Sequence, residues 1–322
     1  MTVRDNVIIC GDCLEELPRL ERNSVDLVFG SPPYEDARTY GIDFNLKGQA
    51  WVDWMVAVFR ESLRVCKGLV AFVVEGKTKN YRWSATPVLL MADLHRAGIC
   101  LRKPPAFHRV GIPGSGGPDW LRNDYEFIIC ATSGGKLPWS DNTVMGHPPK
   151  YAPGGEMSHR LSDGSKVNQW GSGVGNKSGP CAKNGRRMSY CGKPSHRIVT
   201  KKSTPSENSR RKGEKGNPGY DPPVLANPGN VITCRVGGGA LGSPLAHENE
   251  APFPESLAEF FMRSFCPPGG VVLDPVCGSG TTLVAAEEAK RRWLGIDIRQ
   301  SQVDLSNKRI AEMRGLFAGA SK

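Results

Sequence analysis

Val271-Val272-Leu273-Asp274-Pro275-Val276-Cys277-Gly278-Ser279-Gly280-Thr281-Thr282 reads as a strand, a glycine-rich turn and the opening of a helix. In a parallel sheet such a turn stands at the carboxyl edge, where these folds bind nucleotides, and its glycines let a ligand approach the backbone closely. A second strand-like run follows, Trp293–Ile296, and ends in Asp297. An acidic residue about twenty positions beyond the turn is suited to accept hydrogen bonds from both hydroxyls of a ribose. The turn lacks the third glycine of a dinucleotide fingerprint and the Gly-Lys-Ser/Thr of a phosphate loop, so the ligand it suits bears a nucleoside and no pyrophosphate.

Working outward, an amphipathic stretch from about Gln300 to Met313 follows Asp297, and a helix-like run, Glu255–Phe265, precedes the first strand. This is a βαβα unit. Near the N-terminus, short β-branched runs alternate with amphipathic ones: Val7–Cys10, Leu14–Leu20, Val25–Phe29, Trp51–Val65, Leu69–Val74, Thr86–Ala97 and Glu126–Cys130. That alternation predicts an α/β fold, a Rossmann-like and mostly parallel sheet, with the C-terminal unit completing the sheet begun by the N-terminal half. The pattern stops at Thr132 and resumes at Pro254. Residues 1–133 and 247–322 therefore read as one domain, and 134–246, rich in Gly, Pro, Ser, Asn and Lys with brief apolar runs such as Asn230–Cys234, as an irregular insertion.

Charge sharpens that division. The 322 residues carry a formal charge of +10, and the insertion holds about 17 Lys and Arg against about 6 Asp and Glu, leaving roughly 25 against 26 elsewhere. A near-neutral body with a cationic insertion suits a polyanionic partner, because phosphate neutralisation and counterion release supply most sequence-independent affinity. Arg186, Arg187, Lys201, Lys202, Arg210, Arg211 and Lys212 are its candidate nucleic-acid contacts, with Trp139, Tyr151, Trp170 and Tyr190 among them as stacking side chains or a small local core. No run of about 18 apolar residues and no secretory signal occurs, so a membrane partner is not expected and the expected compartment is the cytoplasm of a prokaryote or virus host. Ten cysteines are scattered through the chain, the pattern of free thiols in a reducing compartment.

At the end of Val25–Phe29 stands Gly30-Ser31-Pro32-Pro33-Tyr34. Two prolines fix φ twice and remove two donors, leaving a rigid edge of acceptors. The Ser31 hydroxyl and the Pro32 carbonyl can both accept from an exocyclic amine, while Tyr34 offers a ring for a flat base. An amine held this way has its lone pair drawn out of conjugation and aimed at an electrophile.

With these two turns the chain resembles the S-adenosylmethionine-dependent amino-methyltransferases of DNA, in the permuted order that places the catalytic motif first. The resemblance covers roughly Val7 to Ser133 and His247 to Arg309, and Gly11-Asp12 and the run His247 to Glu255 add to it. It implies a sheet of the class I methyltransferase type, S-adenosylmethionine as cofactor and double-stranded DNA as substrate, with the insertion as target-recognition region. It also implies roles: Ser31, Pro32 and Tyr34 hold the target base, with Pro33 in the same catalytic turn; Asp274, Gly278 and Gly280 line the methionine end of the cofactor, with Val276, Ser279 and Thr281 also among its binding residues; Asp297 binds its ribose; Asp12 lies near its adenine; Phe253 and Pro254 close over it. Val276-Cys277 stands where the family usually has a phenylalanine before the glycines, so weaker packing on the cofactor is expected there. Members acting on cytosine N4 commonly begin the catalytic turn with serine, those acting on adenine N6 with aspartate or asparagine; Ser31 favours cytosine.

Four other readings compete: adenine N6, an inactive DNA-binding relic, an amine of RNA or protein, and cytosine carbon-5. The last requires an activated cysteine, usually after a proline, and neither Cys266 nor Cys277 follows one. The Cys10-x-x-Cys13 spacing straddles a strand end, and Cys181, Cys191, His196 and Cys234 match no zinc pattern, so no metal is expected. A companion restriction endonuclease and the choice between monomer and homodimer stay open.

Overall fold

The runs Val25–Gly30 (β2), Cys66–Val74 (β3), Val271–Asp274 (β12) and Arg292–Asp297 (β13) are apolar at nearly every position. Strands of that composition need cover on both faces. The structure is a computed structural model that describes residues 6–35, 44–111, 119–141, 143–147, 158–160, 166–168, 225, 227–236, 242–248 and 252–320. Alternate side chains of β2 and β3 enter two separate cores. Leu27, Phe29, Ala71 and Val73 meet the helices Glu255–Phe265 (α4), Thr281–Glu288 (α5) and Gln300–Ala320 (α6) through residues such as Phe261, Leu283 and Ile310. Val28, Val70 and Phe72 meet Cys13–Glu16 (α1), Gln49–Val65 (α2) and Thr86–Arg96 (α3) through Cys13, Met55 and Leu90. The result is a three-layer α/β/α arrangement, as the alternation predicts.

With Val7–Cys10 (β1), the five strands run in the order β1-β13-β12-β2-β3, all parallel. Tyr125–Thr132 (β8) then pairs antiparallel to β3, and Ala106–Val110 (β7) antiparallel to β8. Cys100–Arg102 (β6) pairs with the far end of β8. From β12 the chain crosses over one face through α5, and from β2 over the other through α2. Neighbouring strands whose crossovers diverge leave a crevice at their carboxyl ends, the position at which such sheets hold ligands.

Besides the strands β6 and β7, which the alternation did not show, two features depart from the sequence reading. Val231–Arg235 (β11), inside the stretch expected to be insertion, pairs parallel with β7 and adds a ninth strand to the sheet. Its five residues alternate, with Ile232 and Cys234 buried, too short a signal to stand out among glycines and prolines. The chain accordingly divides into one compact unit of residues 1–145 with 229–322 and a second of residues 146–228. Of the second, Ser158–Arg160 (β9) and Lys166–Asn168 (β10) are described, as an antiparallel pair. The other departure is a short hairpin after β3, Thr78–Lys79 (β4) and Arg82–Trp83 (β5).

Eight described cysteines are free thiols, six of them buried. No helix among the described residues is long and apolar enough to cross a membrane, and no three metal-binding side chains cluster among them.

Candidate active site

Register alone brings the motif ends into one row: Cys10 pairs with Asp297, and Asp274 with Gly295. The glycine turn is fixed by its own amides. Asp274 Oδ1 accepts from Val276 N at 3.1 Å, Cys277 N donates to the Ile296 carbonyl at 2.9 Å, and Gly278 N donates to Asp297 Oδ2 at 2.8 Å. Asp297 Oδ1 accepts from Arg299 N at 2.9 Å. Gly280 has φ +77°, and a Cβ there would stand 2.8 Å from Ser306 Oγ. Both facts require glycine.

A buried arginine unforeseen from sequence closes the turn from behind. Arg309, 1% exposed, donates from Nη1 to the Ser279 carbonyl at 2.7 Å and to its Oγ at 2.9 Å, and from Nη2 to Glu255 Oε1 at 2.6 Å. It ties the glycine turn to the start of α4, just after Phe253-Pro254. Phe253 is held in turn by an edge contact to Phe29, 5.7 Å between ring centres.

Across the crevice, Trp51 Nε1 donates to the Pro33 carbonyl at 2.9 Å and pins the Ser31–Tyr34 turn to α2. Gly30 lies so close to Asp274 that a Cβ would collide with its carboxylate. Ser31 Oγ stands 3.4 Å from both Tyr34 Oη and the Val73 carbonyl. Tyr34 Oη donates to Glu126 Oε2 at 2.9 Å, and Glu126 Oε1 pairs with Arg109 Nη1 at 2.7 Å. Among the described residues none donates to the Pro32 carbonyl. Glu75, at the end of β3, accepts on Oε1 from Gly76 N at 2.8 Å and Trp83 Nε1 at 3.0 Å; burial raises its carboxyl above the usual range.

One cavity of about 540 Å³ joins the two walls. Its lining includes Asp12, Phe253, Pro254, Val276, Gly278, Thr281 and Asp297 on one side and Ser31, Pro32, Pro33 and Tyr34 on the other. Asp274, Ser279 and Gly280 lie behind that surface rather than on it; Asp274 is 1% exposed and Ser279 fully buried. Asp12 caps α1, its Oδ1 accepting from Leu14 N at 2.7 Å. Glu75, Phe107, Arg109 and Glu126 also line the cavity and were not foreseen. Sequence gave no sign of them, because strand register assembles them from positions up to 92 residues from Tyr34. The seven basic residues expected to contact nucleic acid, Arg186 to Lys212, lie outside the described residues.

Two thiols reach the cavity, Cys13 and Cys277. Burial pushes Cys13 up to about 12 and Cys277 well above its ordinary value. Neither is an activated thiolate, which removes the described cavity thiols as nucleophiles for carbon-5 chemistry.

A sequence model of the DNA methylase family, of the N6/N4 type, matches residues 25–308. The chain belongs to that family. Among curated DNA methylases, it is 36% identical over 98 residues to the type II methyltransferase M.ScaI of Streptomyces caespitosus, 30% of this chain and 32% of that protein. The chain thus spans about a third of the length of that relative. The type II methyltransferase M.PvuII of Proteus hauseri is 22% identical across 95% of this chain and 83% of its own. A solved PvuII DNA methyltransferase, described as cytosine-N4-specific, superposes with a TM-score of 0.59 at 15% identity, covering 97% of this chain and 92% of that one; the likeness is one of fold. The DNA adenine methyltransferase YhdJ of Escherichia coli K12 is 35% identical over 74 residues, 23% of this chain and 25% of its own. S-adenosylmethionine is the methyl donor of DNA methylases of this family, and so the cofactor here.

Proposed function

We propose that the chain methylates the exocyclic N4 amine of cytosine in double-stranded DNA, with the base rotated out of the helix into the cavity. The observation that carries this reading is that a single cavity is lined both by a nucleoside-type wall ending in Asp297 and by the acceptor edge of Ser31 and Pro32.

The residues present fit S-adenosylmethionine. An acidic carboxylate anchored by two amides stands where a ribose diol needs an acceptor, a glycine-built turn lies beside it, and the apolar pair Phe253-Pro254 covers the same wall. Asp297 would hold the ribose, Asp12 the adenine side, and Val276, Gly278 and Thr281, backed by Asp274, Ser279 and Gly280, the methionine end. When bound, the cofactor supplies an electrophilic methyl group carried on a sulfonium.

The chain's own groups handle the amine. The Ser31 hydroxyl and the Pro32 carbonyl accept its two N–H bonds, and the Tyr34 ring packs on the base. The proton that the amine gives up has an acceptor route from Ser31 through the Tyr34 hydroxyl to Glu126, whose other carboxylate oxygen Arg109 pairs with and orients. Ser31, where adenine-specific members commonly carry Asp or Asn, favours cytosine. The adenine reading keeps the support of the YhdJ likeness. Target recognition falls to the basic segment, cut back by β11 to about residues 146–228, whose charge suits the phosphate backbone.

Incubation with unmethylated duplex DNA and labelled S-adenosylmethionine, followed by digestion to nucleosides and mass analysis, tests this. The expected product is 4-methylcytosine. 6-Methyladenine would overturn the base assignment, and label in no base would overturn DNA as the substrate.

A further inference from the structure

The hairpin β4–β5 carries Lys77, Lys79 and Arg82 with no acidic residue between Lys77 and Trp83. Its two-residue loop, Asn80-Tyr81, has positive φ at both positions, +51° and +60°, as the tightest hairpin turns require. Asparagine tolerates that conformation; a tyrosine adopts it at a cost. The ring of Tyr81 nevertheless stands in solvent, 84% exposed. A strained and exposed aromatic tip between cations is unfavourable for folding alone.

The base of this hairpin is anchored to Glu75, in the cavity lining, and to Glu35, beside the catalytic turn. Trp83 donates from Nε1 to Glu75 Oε1 at 3.0 Å, packs so tightly over Gly76 that a Cβ there would collide with its ring, and stacks on Phe127 at 6.2 Å. Ser84 N donates to the Lys77 carbonyl at 2.9 Å, and Ser84 Oγ stands 3.4 Å from Thr86 Oγ1, which donates to Glu35 Oε1 at 3.1 Å. Glu35 is the residue after Tyr34. Val74 pairs with Phe127, so the loop before β8, with Trp120 78% and Leu121 79% exposed, lies at the same edge of the sheet. Two exposed apolar tips, one of them flanked by cations, thus stand at the sheet edge that carries Glu75 and Glu126 of the cavity lining.

We infer that this hairpin is a wedge for duplex DNA: Tyr81 enters the stack beside the extruded base while Lys79 and Arg82 meet the flanking phosphates. An aromatic ring fills the vacancy left by any base, because every base has a π face, and the cations add a sequence-independent term. The inference rests on duplex DNA as the substrate and is independent of whether cytosine or adenine is methylated.

Tyr81→Gly tests it in the full chain, since glycine accepts the positive φ and removes the ring; thermal unfolding should match or exceed the wild type. With unmethylated genomic DNA, kcat/KM for duplex should fall about tenfold or more, as loss of one stacking contact implies, and Tyr81→Phe should restore it. On the same DNA made single-stranded, where no base need be unstacked, Tyr81→Gly should stay within about twofold of wild type. Equal losses on both substrates, an unaffected duplex rate, or failure of Tyr81→Phe to rescue would overturn the wedge. If the wild type acts on duplex alone, the contrast between Gly and Phe decides. A wild type that labels neither DNA overturns DNA as the substrate, the reading on which the wedge rests.

Discussion

Asp274 supports the glycine turn from a buried site, and burial pushes its carboxyl from an ordinary value of 3.8 up to about 7. Its folded value lies above its unfolded one, so folding takes up a proton between those limits. The stability this contributes is complete below about pH 4 and is lost as pH rises towards about 7, at ~1.4 kcal/mol per pH unit for one such group. Asp274→Asn should therefore flatten the pH dependence of the unliganded protein and raise its stability at pH 8 relative to wild type, read by denaturant unfolding at pH 5 and pH 8. An unchanged pH difference would remove Asp274 as its source. Tyr34 separates two roles in one side chain. Tyr34→Phe keeps the ring and breaks the hydroxyl path to Glu126, so kcat should fall several-fold, whereas Tyr34→Ala should cost about a hundredfold, the scale of a general-base loss combined with lost stacking. Single-turnover rates distinguish them. At this scale the sequence was legible wherever chemistry is local: Ser31, Pro32, Asp297 and the glycines announce themselves by spacing. Arg109, Glu126, Glu75 and Arg309 have no such signature, since each acquires its partner from a distant strand or helix.

Among elements, the β12–α5 turn is the least tolerant of change. Gly280→Ala would put a methyl 2.8 Å from Ser306 Oγ in a left-handed conformation, which should destabilise the protein by about 1–3 kcal/mol and weaken cofactor binding with it. Equilibrium unfolding and calorimetric titration with S-adenosylmethionine measure both. The strands β1, β2, β3, β12 and β13 were readable because each is a short apolar run, rich in β-branched residues in all but β13, bounded by turn or polar residues. α4 matched the sequence expectation at both ends, Glu255–Phe265. β6 and the β4–β5 hairpin escaped because short edge strands and two-residue strands bury one face or none, so their composition resembles that of loops; β7, between β8 and β11, buries only Phe107, and β11 was visible only as the brief apolar run Asn230–Cys234. β11 moves the return of the chain into the catalytic unit to about residue 229, well before the resumption of helical periodicity.

For the whole molecule, the division between a near-neutral sheet and a cationic segment was visible in the charge distribution, while most of that segment, its candidate DNA contacts included, lies outside the described residues. Its role is testable without knowing a recognition sequence. Affinity for arbitrary duplex DNA should fall steeply with salt, and replacing Arg186 and Arg187 together by Ala should reduce the slope of log K against log salt by about one to two. An unchanged slope would move the phosphate contacts elsewhere, the β4–β5 hairpin first among them. The central claim is that one cavity holds a cofactor wall and, separately, an amine-holding turn. Ser31→Ala tests it most directly, with methyl transfer to unmethylated duplex DNA followed in a single turnover beside calorimetric titration of S-adenosylmethionine. The transfer rate should fall about a hundredfold while cofactor affinity stays within about twofold, since Ser31 lies on the far wall. Transfer at the wild-type rate, or a loss of cofactor affinity equal to the loss of rate, would contradict the account.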